Sequence, residues 1–345
     1  MTSEPGLGRI DEVVALADAY MDAGKYESAR EVVSRSLASH PDDPVLLANY
    51  ARAELALGNE WQAARSAHAA LSRTPEDEFA MRVYALSLFR LGRHHDALWM
   101  AWRTVTTHPN LPEPLRLYAL MLQKTWQLRS ALDVIDQALR LDPQYVDAHI
   151  RRGSILHDMG RRAEAAESYR AALQLDPANA TALNDLAVHR LQGNKLGRAL
   201  QGFLGAARQD PSIGDLARRN IGVVLRKVLT GMTIGAGLVG VVLAITVGAY
   251  GDGRPTAVAR LAVGLITAAL IAALWWLHRS IPRGVLLSVL RKQHFSAARL
   301  VHAVVAIPVG AWVTVYPGPP AMIAVGAMLA ISALVIIRIG LTIGK

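Results

Sequence analysis

A single constant interval runs through the first part of this chain and limits its fold more than any other feature. Pro41, Pro75, Pro109, Pro143, Pro177 and Pro211 are spaced by it, at thirty-four positions each. Ala29, Ala63, Ala97, Ala131, Ala165 and Ala199 keep the same interval, each twelve positions ahead of its proline. A second small column, Ala17, Ala51, Ala85, Ala119, Gly153 and Ala187, stands twelve positions before the first. Gly24, Gly58, Gly92 and Gly160 mark a turn at fixed phase; Trp126 takes that place in the fourth unit, and Gly193 with Asn194 shifts it by one in the sixth. Each unit divides at the glycine into two amphipathic segments of about a dozen residues, a length that suits short helices. A small residue is needed twice per unit where two helices cross closely. The proline, which lacks an amide donor and fixes its own φ, ends the second helix and starts the next. Units of this kind cannot bury their apolar faces alone and must stack.

Over residues 8–211 the pattern resembles the tetratricopeptide-repeat family. The resemblance implies an all-α chain, with six helix pairs stacked into a right-handed superhelix around a concave groove. It brings no catalytic site and implies a protein or peptide partner. By the family's phase the first helix of each unit lines the groove, through Asn49, Arg52, Arg82, Arg116, Gln123, Arg151 and Asn184. Arginines at successive groove positions suit an acidic segment or a C-terminal carboxylate held by forked hydrogen bonds. The competing reading makes them solvated charges paired with Glu54, Glu113 or Asp185. The lysine and asparagine set of chaperone-tail binders is not reproduced. Trp61, Trp99, Trp102 and Trp126 fall in or near second helices and are expected to pack between layers.

The rest of the chain is a different kind of polymer. Thirteen of the 37 basic residues but only two of the 28 acidic ones, Asp215 and Asp252, lie in 212–345, so that stretch carries +11 and residues 1–211 carry −2 within the total of +9. The excess basicity therefore sits beside apolar segments, where anionic lipid is the natural counter-charge and nucleic acid is not. Ser212-Ile-Gly-Asp215 reads as a capping box opening a helix through Arg226 and Lys227 that closes the last repeat. Residues 212–227 are thus a capping, juxtamembrane segment, and 228–345 a membrane domain. Its spans are expected near 228–251, 261–277, 300–316 and 321–337, the last two divided by Pro317-Gly-Pro-Pro320. Trp275, Trp276, His278 and Arg279 form an aromatic-then-basic boundary. Basic residues cluster before the first span (Arg218, Arg219, Arg226, Lys227) and between the second and third (Arg279, Arg283, Arg291, Lys292, Arg299). The positive-inside bias places both chain ends in the cytoplasm. The central stretch 281–299 mixes apolar and basic residues and is able to lie along the lipid surface. Gly231 with Gly235, Ala236 with Gly240, and Gly326 with Ala330 are spacings for close helix contact, within the chain or between copies. Pro308 is expected to kink the third span.

Function classes narrow accordingly. The chain has no cysteine, which removes disulfide, thiolate and cysteine–metal chemistry. Gly235-Ala-Gly237-Leu-Val-Gly240 matches a dinucleotide fingerprint but lies inside an apolar run, with Arg260 about where the ribose-binding acid would stand. No histidine pair has the zinc-hydrolase spacing, so no metal or cofactor is expected, and Met1-Thr-Ser-Glu-Pro-Gly does not resemble a cleavable signal. The spans hold no acidic residue, and His302, two residues into its run, is read as interfacial. With 31 arginines against six lysines the composition fits a GC-rich bacterial coding sequence, so the membrane is the plasma membrane. The expected role is a non-enzymatic scaffold that recruits protein partners to the cytoplasmic face of that membrane. The alternative is a regulatory or structural subunit of a transport complex.

Overall fold

A computed structural model describes residues 10–210, 214–316 and 319–343, and every regular element among them is an α-helix. The chain divides into two compact units, Met1–Pro177 and Ala178–Lys345.

The first unit contains five antiparallel helix pairs: α1 (Ile10–Asp22) with α2 (Tyr26–Ser39), α3 (Pro44–Ala56) with α4 (Glu60–Arg73), α5 (Glu78–Arg90) with α6 (His94–Thr107), α7 (Pro112–Lys124) with α8 (Leu128–Leu141), and α9 (Val146–Asp158) with α10 (Arg162–Leu175). Local chemistry sets the starts. Asp43 accepts from the Leu46 amide at 2.9 Å with Pro44 in the first turn, and Asp77 accepts from the Ala80 amide at 2.7 Å. Each such cap stabilises its helix by about 1 kcal/mol. The repeating prolines stand in the turns between pairs: Pro41, Pro75, Pro109 and Pro143 each precede the next helix by three residues, so they end one pair without entering the helix that follows.

Within a pair, the connecting turn places one residue at left-handed φ. Gly24, Gly58, Gly92 and Gly160 do this at φ +69° to +82°, and Trp126 does it at +60°. The next amide then bonds back to the end of the first helix, as in Lys25 to the Tyr20 carbonyl (2.8 Å) and Gln127 to the Leu122 carbonyl (2.9 Å). A side chain costs about 1–2 kcal/mol in this conformation. Because Trp126 is 75% exposed, little packing offsets that cost. Trp126→Gly is therefore expected to stabilise the repeats by about 1 kcal/mol, after allowing for glycine's freer unfolded chain. A higher unfolding midpoint in urea would show it.

The alanine columns form the seams. Ala29, Ala63, Ala97, Ala131 and Ala165 have no solvent exposure, and neither have Ala51, Ala85 and Ala119. The fifth pair explains why its column carries Gly153: a Cβ there would come within 2.6 Å of the Tyr169 ring of α10, itself buried. The large ring and the missing methyl compensate each other within one helix pair.

The second unit begins with a sixth pair, α11 (Ala180–Gln192) and α12 (Leu196–Gln209). Asn179 caps α11 through the Ala182 amide at 3.0 Å. Asn194, not Gly193, takes the left-handed turn at φ +57°, so the phase does not shift as its glycine implied; asparagine tolerates the conformation well enough to hold the common register. Behind this pair runs α13 (Gly214–Gly251), a single helix of 38 residues. Its first third packs on α11 and α12, where Ile221, Val224 and Leu225 share a core with Ala187, Leu191, Leu200 and Phe203. Asp215 heads α13, while Ser212, the other half of the expected capping box, lies outside the described residues.

Four helices complete the unit: α14 (Ala257–Ser280), α15 (Arg283–Lys292), α16 (His294–Val315) and α17 (Met322–Ile343). Glycine lets α13 and α17 cross with their backbones in contact. A Cβ on Gly240 would stand 2.5 Å from the Gly326 carbonyl oxygen and 2.9 Å from the Ala330 nitrogen, and one on Gly237 would stand 2.8 Å from the Ala333 Cβ. Gly231, by contrast, faces open space, and Gly235 looks towards Leu270 of α14. Pro308 lies inside α16, which continues through it. Arg260 of α14 closes the far end of α16, donating to the Thr314 carbonyl at 2.9 Å and also to that of Val315. Hydroxyls inside these helices bond their own backbones: Thr233, Thr246 and Thr267 donate to carbonyls four residues earlier at 2.7–2.8 Å.

Two side chains near the expected edge of the third span are buried. His302 is 8% exposed, and its Nε2 lies 3.1 Å from the Leu329 carbonyl of α17. Arg299, expected at the edge of the loop, is buried on α16 one turn before it. The reason is the same for both. The helix begins at His294, six residues before the uncharged run does, so these side chains lie within its packed length.

Candidate functional site

The groove residues are built from the first helix of each pair. Residues of the alanine column turn inward, and the intervening positions present their side chains along the opposite face of the same helix. All six candidates of the first unit lie on α3, α5, α7 or α9, and Asn184 lies on α11 of the second unit.

Phe79, at the start of α5, draws two of the arginines together. The guanidinium of Arg52 stands 5.4 Å from its ring centroid and that of Arg82 stands 5.7 Å away. Arg52 also pairs with Asp18, its counterpart one repeat earlier, and Arg82 pairs with Glu78 within α5. The Arg52 Nε is buried with no hydrogen-bond partner. Further along, Arg116 Nε donates to the Tyr145 hydroxyl at 2.7 Å. Burial raises the Tyr145 hydroxyl above the ordinary tyrosine range, and the charge of Arg116 opposes that rise. Arg151 and Gln123 meet across α9 and α7, with Arg151 donating to the Gln123 amide oxygen at 3.2 Å. Gln123 in turn donates to Ser154 at 2.9 Å and to Asp158 at 2.7 Å.

The candidates therefore separate by role. Asn49, Gln123 and Asn184 are each 6% exposed and bonded inside the protein: Asn49 to the Val45 carbonyl at 2.9 Å, and Asn184 to Asp185 and Asn220, both at 3.1 Å. Arg52 and Arg82 keep about a quarter of their side chains in solvent. Of their partners, Asp18 is about half exposed and Glu78 about a fifth. The partners differ from the expected Glu54 and Glu113, because the stacking of one first helix on the next brings Asp18 and Tyr145 within reach. Phe79 and Tyr145 went unnoticed in the sequence. An aromatic residue beside arginines of adjacent repeats is the signal that marks them.

The tryptophans do not pack between layers. Trp61 is 68% exposed, Trp99 51%, Trp102 48% and Trp126 75%. Arg103 lies 5.8 Å over the Trp99 ring on α6. Among the described residues, no three metal-ligating side chains converge.

Family profiles for the tetratricopeptide repeat match residues 10–53 and 153–193. No curated protein sequence matches the chain. Among solved structures, the APC/C hetero-tetramer Cut9–Hcn1 is similar at 16% identity, over 61% of this chain and 42% of that one, with a TM-score of 0.52. Yeast Tom70 is similar at 18% identity, over 63% of this chain and 46% of that one, with a TM-score of 0.51. The chain thus spans less than half the length of either structure, and at these identities the likeness is one of fold. The second unit adds four helices, Gly214–Gly251, Ala257–Ser280, Phe295–Val315 and Met322–Gly340, that are long and apolar enough to cross a membrane. Profile matches at both ends of the repeat array and a shared register of turns and buried alanines lead to one conclusion: the chain carries tetratricopeptide repeats.

Proposed function

We propose that this protein is a membrane-anchored scaffold whose repeats hold a protein partner at the cytoplasmic face of the plasma membrane. Tetratricopeptide repeats serve protein and peptide interaction, and that much follows from the fold. The finer reading is carried by one observation: the solenoid is joined covalently to helices with the length and hydropathy of bilayer spans. Held in this way, a weakly bound partner meets other membrane components at a raised effective concentration. The partner's acidic segment or C-terminal carboxylate engages Arg52, Arg82, Arg116 and Arg151, while Gln123 ties α7, which carries Arg116, to α9, which carries Arg151.

The rival reading, a subunit of a transport complex, finds less support. A substrate path needs polar groups free to face it. The threonines within the apolar helices bond to their own backbones instead, Thr230 included, at 2.8 Å from the Arg226 carbonyl.

Because the chain lacks cysteine, single cysteines report topology without background. With a membrane-impermeant maleimide on intact cells, Asp252→Cys in the turn after α13 is expected to label. Ser72→Cys, exposed on α4, is expected to label only after lysis. Labelling of Ser72→Cys on intact cells would refute the proposed orientation. In the same cells, Arg52→Glu with Arg82→Glu is expected to lower recovery of a cross-linked partner at least tenfold while leaving the chain in the membrane fraction.

A further inference from the structure

We infer that the second unit binds the phosphate headgroup of an anionic phospholipid in a basic cavity bounded by α12, α13, α14 and α15. The inference rests on the membrane-embedded reading given above. The cavity has a volume of about 720 Å³. Arg208, Arg218, His278, Arg279 and Arg283 line it, and among the described residues no carboxylate does. Arg218 shares its charge with Asp215 at 2.8 Å, whereas Arg208, Arg279 and Arg283 form no ion pair among the described residues. A second cavity of about 760 Å³ adjoins it through Arg218 and Val285 and adds Arg219 together with Asp215, the carboxylate paired with Arg218.

Several arginines around one half-open cavity repel one another, and an anion held among them relieves the repulsion. Arginine is also the side chain best matched to phosphate, through paired parallel N–H donors. The floor supplies the rest of the ligand's chemistry. Leu204, Ile221, Ile281 and Val285 are apolar, so the cavity suits a molecule that is anionic at one end and hydrocarbon at the other. Its depth agrees with a lipid source. Trp275 is 63% exposed one turn earlier on α14, and the Arg279 guanidinium stacks 5.7 Å from its ring centroid. Tryptophan followed by arginine is the arrangement of a bilayer interface. The cavity therefore opens at headgroup level, where a soluble anion has no hydrocarbon to match the apolar floor.

The test uses the full chain purified in a neutral detergent. Phosphatidylglycerol, phosphatidylcholine or inorganic phosphate is titrated in, and native mass spectrometry and the melting midpoint are recorded. Phosphatidylglycerol is expected to be retained in preference to phosphatidylcholine and to raise the midpoint, with inorganic phosphate doing neither. Each arginine near a bilayer contributes about a fivefold step, so Arg279→Gln with Arg283→Gln is expected to weaken phosphatidylglycerol binding about 30-fold. Arg208→Gln with Arg218→Gln, from the opposite wall, gives the same loss if the first pair folds poorly. Arg254→Gln removes a charge from the distant turn after α13 and is expected to change nothing. Equal retention of the two lipids would overturn the proposal, as would a loss in Arg254→Gln matching that of the cavity pairs. Protection by inorganic phosphate as strong as by the lipid would overturn the lipid source. Release of the wild-type chain from membranes by alkaline carbonate would instead refute the membrane reading itself.

Discussion

Gly240→Leu is expected to destroy the packing of the second unit, costing more than about 3 kcal/mol, the upper range for overpacked sites. The obstacle is backbone on the facing helix, the Gly326 carbonyl and the Ala330 nitrogen, which cannot rotate aside as a side chain can. Small residues that let two helices touch are the main source of helix association where lipid replaces water. In detergent the full-length variant should melt at a much lower temperature and aggregate on size exclusion. Gly231→Leu is the matched control: the same substitution on the same helix, aimed at open space, should stay within about 0.5 kcal/mol of wild type. Similar behaviour of the two variants would mean that α13 and α17 do not cross at Gly240.

In the first unit the corresponding change is Ala131→Trp. Ala131 lies on α8 with no solvent exposure, in a seam that every repeat fills with alanine. An indole there must push α8 away from its neighbours, at a cost of about 3 kcal/mol or more. Nearest-neighbour interfaces hold a repeat array together, so the damage should spread to α7 and α9 as lost helical circular dichroism and a broad, early urea transition. Asp133→Trp places the same indole on the exposed face of the same helix and should shift the midpoint little. Unchanged helicity in Ala131→Trp would contradict the seam.

The repeat array was legible in the sequence because its spacing is an integer property of the chain. First helices from α3 to α11 start at Pro44, Glu78, Pro112, Val146 and Ala180, at the same interval that separates the prolines. The register even survives where its marker residue fails, at Trp126 and Asn194, since the turn is held by helix length and backbone hydrogen bonds rather than by glycine itself. The tryptophans show what composition hides. Trp99 shares its column with Glu31, Arg65, Asp133, Glu167 and Gln201, all polar, so comparison down the column, not the indole's own hydrophobicity, indicates a solvent-facing position. The groove was less legible. Phase alone put Arg52 and Arg82 on the first helices of their pairs, but their gathering around Phe79 depends on how adjacent repeats stack. In the apolar helices, runs without charge located the segments, yet they missed the start of α16, because Arg299 is buried where a hydropathy reading expects a boundary.

The unbroken course of α13 has a mechanical consequence. At 1.5 Å per residue its 38 residues form a rod of about 57 Å, clamped near one end by the sixth repeat and at the other by the crossing with α17. No proline interrupts it, and its glycines near the crossing are locked against a neighbour. A force applied to α11 and α12 is therefore delivered along the rod as tilt or torque rather than absorbed at a joint. A load on the last repeat would be felt at Gly240.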